Sequence, residues 1–159
     1  MGIRPVASQG VWIEAAGGRV TDGMETVSVR HEDGTVDIFE RAEGRASFDT
    51  ERLETLYWDE IRRATLGCVR FSRGGLRLFG AWPSLLRFGP LVDGRRAIVG
   101  GLMAGRAGGT VAWRADGAWT SVAVERFAPF LRGPLWRIQL AFHYLVGRRF
   151  VARVAREAG

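Results

Sequence analysis

His143 and Gln139 stand four residues apart in an apolar stretch running from Leu135 to Leu145, so any helix formed there presents an imidazole and an amide on one face. Two polar groups among apolar side chains suit hydrogen bonding to a polar atom of an otherwise apolar small molecule, and an imidazole can in addition move a proton near neutral pH. Tyr144 places a phenol beside His143, and Tyr57 places a second on the apolar side of an earlier amphipathic segment. Trp82, followed by Pro83 at an expected sheet bend, is the tryptophan expected nearest a cavity mouth. Tyr57, Trp82, Gln139, His143 and Tyr144 are therefore the candidate ligand-binding residues. Each also has a plainer role open to it, the histidine satisfied by backbone or water and the aromatic rings packed in a core. No residue is assigned a catalytic role.

Other combinations carry less chemistry. Asp59 and Glu60 resemble a general acid and base, but adjacent helical residues point about 100° apart, and Arg63 lies one turn beyond Asp59, so the pair reads as a solvated face. Gly100-Gly-Leu-Met-Ala-Gly-Arg-Ala107 has the glycine spacing of a phosphate-binding loop, yet Arg106 stands where that loop needs lysine and Ala107 where it needs a hydroxyl. The chain contains no lysine, which excludes a Schiff base, and no asparagine, which excludes N-glycosylation. One cysteine, Cys68, cannot form an internal disulfide, and with only His31 and His143 no metal-ligand cluster is formed. No cofactor or metal is expected. His31, beside an Asp33-Gly34 turn, is expected to be exposed and without a chemical role.

The elements that would position these residues are legible as hairpins and two helices. In Thr26-Val-Ser-Val-Arg-His-Glu-Asp-Gly-Thr-Val-Asp-Ile-Phe39 a two-residue turn at Asp33-Gly34 pairs Arg30 with Asp37 and Val29 with Ile38. A second Asp-Gly, Asp116-Gly117, sets Val111, Trp113, Val122 and Val124 on a core face and makes Arg114 and Trp119 neighbours on the other. A third turn is expected at Gly74-Gly75, with further strands at Val11 to Glu14, Leu85 to Phe88 and Ala97 to Val99. Asp49 or Thr50 caps a helix carrying Leu53, Leu56, Tyr57, Ile61 and Ala64 on one face. A longer helix follows Gly133-Pro134 and runs from Leu135 to about Arg156, apolar around most of its first half and so expected to be enclosed. The glycine-dense stretch from Val99 to Gly109 reads as turns or sheet kinks.

A chain of 159 residues, 47% apolar and 25% charged, fits one globular domain spanning 1–159. The net charge of +6 is carried by 23 arginines and is uneven. Residues 1–60 hold six arginines against thirteen acids, net −7, and residues 61–159 hold seventeen against four, net +13. The two halves are expected to attract each other, which disfavours a nucleic-acid partner as the reason for the charge. The opening residues lack the apolar core of a signal peptide and no run is apolar enough for a transmembrane segment, so a cytoplasmic protein is expected.

The fold class implied is α+β, an antiparallel, hairpin-rich curved sheet with one amphipathic helix in the first half and a long C-terminal helix packed against it. From Ala97 to Arg156, paired strands end in Phe127-Ala-Pro-Phe-Leu-Arg-Gly-Pro-Leu-Trp136 and pass into the arginine-studded last helix. This pattern resembles the helix-grip fold of the START-like superfamily of polyketide cyclases and lipid-transfer proteins. The opening strand, short Pro-containing helix and Val-Trp pair of that family are not evident in residues 1–66. The resemblance implies a cavity between sheet and last helix that holds an apolar, aromatic, lipid- or polyketide-like small molecule. Two alternatives stand beside it. One is a cyclase- or isomerase-like enzyme using His143 or Tyr57 on a polyketide or steroid-like substrate. The other is an arginine-rich module that meets an anionic membrane or nucleic acid through Arg137, Arg148, Arg149, Arg153 and Arg156.

Overall fold

The computed structural model describes residues 23–44, 48–115, 118–131 and 135–157. Its strands are β1 (Met24–Arg30), β2 (Val36–Glu43), β3 (Val69–Ser72), β4 (Gly75–Leu78), β5 (Ser84–Val92), β6 (Arg95–Gly100), β7 (Thr110–Ala115) and β8 (Trp119–Phe127). The helices are α1 (Thr50–Ala64), between β2 and β3, and α2 (Trp136–Glu157), after β8. The strands form one antiparallel, open, curved sheet in the order β1-β2-β8-β7-β6-β5-β4-β3. From β3 to β8 each strand pairs with the next, and β8 then closes onto β2. The class is thus the α+β arrangement expected.

The inner face of the sheet carries Val36 and Ile38 of β2, Val122 and Val124 of β8, Val111 and Trp113 of β7, Ile98 of β6 and Phe88 of β5, all buried. α1 covers its β3 and β7 side, and α2 covers β1, β2 and β8 and packs on α1. Asp49 caps α1, its carboxylate accepting from the Arg52 N–H at 2.7 Å. The other end of α1 closes with a 6→1 bond from Gly67 N–H to the Arg62 carbonyl (2.7 Å) and a 5→2 bond from Leu66 to Arg63 (3.1 Å), a Schellman motif. Leu66 occupies its left-handed position, φ 52°, where glycine is preferred.

Three turns differ from expectation, with different consequences. Between β1 and β2 the loop has three residues, Glu32, Asp33 and Gly34, because the Gly34 N–H closes on the His31 carbonyl at 2.9 Å and Asp33 accepts from the Thr35 N–H and hydroxyl. The extra residue slips the register by one, so Arg30 opposes Val36 and Val29 opposes Asp37. It also turns β1 over. Ser28 and Arg30, rather than Val27 and Val29, share the inner face with Val36 and Ile38. The third hairpin turns at Arg73-Gly74, where φ of 48° and 71° gives the type I′ geometry, rather than at Gly74-Gly75. Between β7 and β8, Ala115 opposes Thr120 and Arg114 opposes Ser121, two residues from the expected pairing. An even slip preserves faces, and Val111, Trp113, Val122 and Val124 are buried as expected. Trp119 does lie on the opposite face, but the guanidinium stacked on it, 4.4 Å from the ring centre, belongs to Arg41 and not to Arg114. Asp116-Gly117, Gly133-Pro134 and the strand expected at 11–14 lie outside the described residues.

The charge asymmetry resolves into packing. Arg153 of α2 donates to Asp59 (2.8 Å) and Glu60 (2.9 Å) of α1, Arg106 pairs with Asp33 (2.7 Å), and Arg96 forks onto Glu54. Basic residues of the second part thus meet acids of the first. The expected enclosure of α2 does not hold, because Leu135, Ile138 and Leu145 are exposed. The helix buries one side, through Val146, Phe150, Val151 and Val154, and turns the other outward.

Candidate functional site

The space between sheet and helices, where a ligand was expected, is occupied in its middle by aromatic side chains. Tyr57 meets Trp58, Trp113 and Phe150 edge-on, with ring centres 5.2, 5.6 and 5.4 Å away, and Trp58 stacks on Phe71 at 4.6 Å. Burial and the nearby Glu40 hold the Tyr57 hydroxyl well above its ordinary pKa. Tyr57 is therefore a core residue. The indole N–H of Trp58 donates to Glu54 at 2.7 Å, which gives that buried carboxylate a partner in addition to Arg96.

Glu40 was not singled out by sequence. It alternates in phase with Val36, Ile38 and Ala42, which puts its carboxyl on the inner face of β2, where it is only 2% exposed. A Cβ at Gly147 of α2 would overlap this carboxyl, so the glycine makes the room it occupies. Its Oε1 has no hydrogen-bond partner, and the same is true of two buried neighbours on the inner face, the Thr120 hydroxyl and the Trp113 indole N–H. Glu40 opposes Val122 on β8, Val122 opposes Trp113 on β7, and Thr120 lies one inward position along β8. Burial raises the Glu40 pKa to about 8, with Arg148 pulling weakly the other way, so the group is largely protonated at neutral pH.

Three of the remaining candidates, Gln139, His143 and Tyr144, lie in the first half of α2. Gln139 is 7% exposed; its amide N–H donates to the Met103 carbonyl at 2.9 Å, and its Oε1 has no partner. His143, one turn on, packs edge-on against Phe127 at 5.4 Å, and burial lowers its pKa to about 4, leaving it neutral near pH 7. Both line a void of about 10 Å³ between α2 and the ends of β2 and β8, room for about one water. The void shares Val36, Pro129 and Trp136 with an open cleft of about 370 Å³, whose walls include Arg30, Arg106 and Leu131. Arg30 lies over the Trp136 ring at 5.0 Å, an arrangement that follows from the one-residue slip of β1.

Of the five candidates the structure thus brings two together. Tyr144 bonds the Ser28 hydroxyl at 2.6 Å, tying α2 to β1, and does not line the void. Trp82 is 81% exposed on the turn between β4 and β5, at the sheet edge remote from α2. Its expected place at a cavity mouth is corrected, because that turn folds over β3 and β4 with the Gly80 carbonyl on the Ser72 hydroxyl (3.0 Å) and the Ala81 carbonyl on Arg77 (3.0 Å). Among the described residues no group of three His, Cys, Asp or Glu side chains could hold a metal ion, and no helix is long and apolar enough to cross a membrane. No protein-family model, curated protein or solved structure matches the chain.

Glu40 and His143 pull the stability against pH in opposite directions. The folded Glu40 keeps its proton from its ordinary value of 4.5 up to about 8, whereas the unfolded chain releases it, so this contribution is complete below pH 4.5 and is lost as pH rises through 8. For His143 the unfolded chain gains a proton below 6.5 and the folded one only below about 4, so that contribution is present above 6.5 and is lost as pH falls. The two offset each other between 4.5 and 6.5. Between 6.5 and 8, Glu40 acts alone, and stability falls by up to about 1.4 kcal/mol per pH unit. Chemical denaturation from pH 6.5 to 8 checks this. Glu40→Gln is expected to flatten the profile, and an unchanged slope would show that Glu40 is ionised in the fold.

Proposed function

We propose that the protein binds a small apolar or aromatic molecule at the α2 end of the sheet, in the cleft walled by Arg30, Leu131 and Trp136 and ending at Gln139 and His143. The observation that carries this is Gln139, a buried amide with one end fixed to Met103 and an unpaired oxygen, lining a void next to an open cleft. An unpaired buried carbonyl costs roughly 1–3 kcal/mol, which a ligand hydroxyl or N–H would offset. The neutral His143 suits a hydroxyl or carbonyl, Trp136 and Pro129 give the apolar wall, and Arg30 suits an aromatic or acidic end directed outward, Arg106 being paired with Asp33 in the same wall. The site lies within 97–156 apart from residues of the β1–β2 hairpin, in keeping with the START-like resemblance of that segment. A cyclase- or isomerase-like enzyme would need His143 and Tyr57 in one pocket, and Tyr57 is instead packed among Trp58, Trp113 and Phe150.

Titration with 1-anilinonaphthalene-8-sulfonate, aromatic and acidic, tests the site. Gln139→Leu and Arg30→Gln are each expected to weaken binding about five- to tenfold, while Leu66→Ser leaves it unchanged. Affinity that is insensitive to both substitutions, or lost with Leu66→Ser, contradicts the placement.

A further inference from the structure

We propose that the turns ending α1 and joining β4 to β5 form a tip that docks on an anionic lipid bilayer, a role independent of the ligand cleft. Leu66, Phe79 and Trp82 are 94%, 71% and 81% exposed, extreme values for large apolar side chains. They stand on two adjoining turns, Leu66 on the one ending α1 and Phe79 and Trp82 on the one joining β4 to β5. The Phe79 N–H bonds the Cys68 carbonyl at 2.6 Å, joining the two turns. The Arg70 side chain runs between them, its Nε donating to the Gly67 carbonyl at 3.0 Å and its Cδ lying 3.7 Å from where a Gly80 Cβ would stand. Isolated exposed apolar residues are ordinary, but a contiguous group on turn tips marks an interaction surface. Leu66 and Phe79 also hold left-handed backbone, φ 52° and 50°, at positions where glycine would be unstrained. An outward apolar side chain therefore stands at both positions despite the backbone.

Charge selects the occupant. Residues 61–92 contain no acidic residue and six arginines, of which Arg62 and Arg63 pair with Asp59 and Glu60 of α1, leaving Arg70, Arg73, Arg77 and Arg87. Arg70 and Arg77, at the tip itself, bond the carbonyls of Gly67 and Ala81, so neither bond neutralises their charge. Apolar tips ringed by such guanidiniums match the headgroup boundary of an anionic leaflet, where Leu and Phe enter the acyl region, Trp sits at the interface and arginines meet lipid phosphates and carboxylates. A self-associating surface would face the same uncompensated positive charge on its partner.

Co-sedimentation of the full chain with phosphatidylcholine vesicles, with and without phosphatidylserine, tests the proposal. Wild type is expected to sediment with the anionic vesicles, less so as salt rises, and weakly with phosphatidylcholine alone. Leu66→Ser/Trp82→Ser is expected to lower the partition roughly tenfold or more, and Arg70→Gln/Arg77→Gln to remove the preference for phosphatidylserine. Brominated lipid is expected to quench the fluorescence of wild type and to quench Trp82→Phe markedly less, a readout that needs no loss of binding. The proposal is overturned by absence of sedimentation, by sedimentation that Leu66→Ser/Trp82→Ser leaves intact, by a dimer that this variant dissolves in place of vesicle binding, or by retention of single-stranded DNA and not vesicles.

Discussion

Phe150→Ala is expected to destabilise the protein by about 3–5 kcal/mol, a fall in Tm of roughly 6–20 °C for a chain of this size. Phe150 is 0% exposed, and its ring meets Tyr57 of α1 edge-on at 5.4 Å, so it joins α2 to the aromatic cluster that fills the space over the sheet. Truncation removes the apolar burial and leaves a cavity walled by rigid rings with few ways to collapse. Leu145→Ala, five residues earlier on the outward side of the same helix, is expected to cost within about 0.5 kcal/mol, since Leu145 is already 44% exposed. Denaturant unfolding of both variants checks the orientation of α2. Equal losses, or a loss below 1 kcal/mol for Phe150→Ala, would mean that the helix is rotated about its axis.

Gly147→Ala is the second large effect, and its sign runs against propensity. In a helix interior glycine is worse than alanine by about 1 kcal/mol, so the substitution would ordinarily stabilise. Here the new methyl would occupy the place of the Glu40 carboxyl, and helix and strand must part or the carboxyl must move within a closed core. A loss of about 1–3 kcal/mol is expected. The double variants locate the cause. Glu40→Ala removes the obstructing atoms and is expected to recover most of the loss caused by Gly147→Ala, whereas Glu40→Gln, of the same size, recovers none. A Gly147→Ala protein as stable as wild type would contradict the approach of α2 to β2 at this position.

What could be read from the sequence, and what could not, follows from how locally each feature is determined. The α1 cap and its apolar face are set within a few residues, and both stand where expected, with Asp49 at the cap. The core face of β7 and β8 survived a mistaken pairing because the slip was even. The β1–β2 hairpin did not, since Asp33-Gly34 fits a two-residue or a three-residue loop equally well and the difference decides whether Val29 or Arg30 faces the helix. That single residue brings Arg30 to Trp136, so the wall of the cleft could not be foreseen. Gln139 and His143 were legible as one face of one helix. Trp82 and Tyr57 were not, because their surroundings depend on how distant turns fold. Glu40 went unnoticed because an acid in a strand reads as solvent-facing, and only its phase with Val36, Ile38 and Ala42, together with Gly147 in the middle of α2, marked it as buried.

Native mass spectrometry of the protein purified from its own host tests the ligand-binding account most directly. The account predicts a bound species of small-molecule mass that is released on denaturation and depleted in Gln139→Leu. A protein that carries no such adduct under native conditions, or an adduct retained equally by wild type and Gln139→Leu, would contradict it.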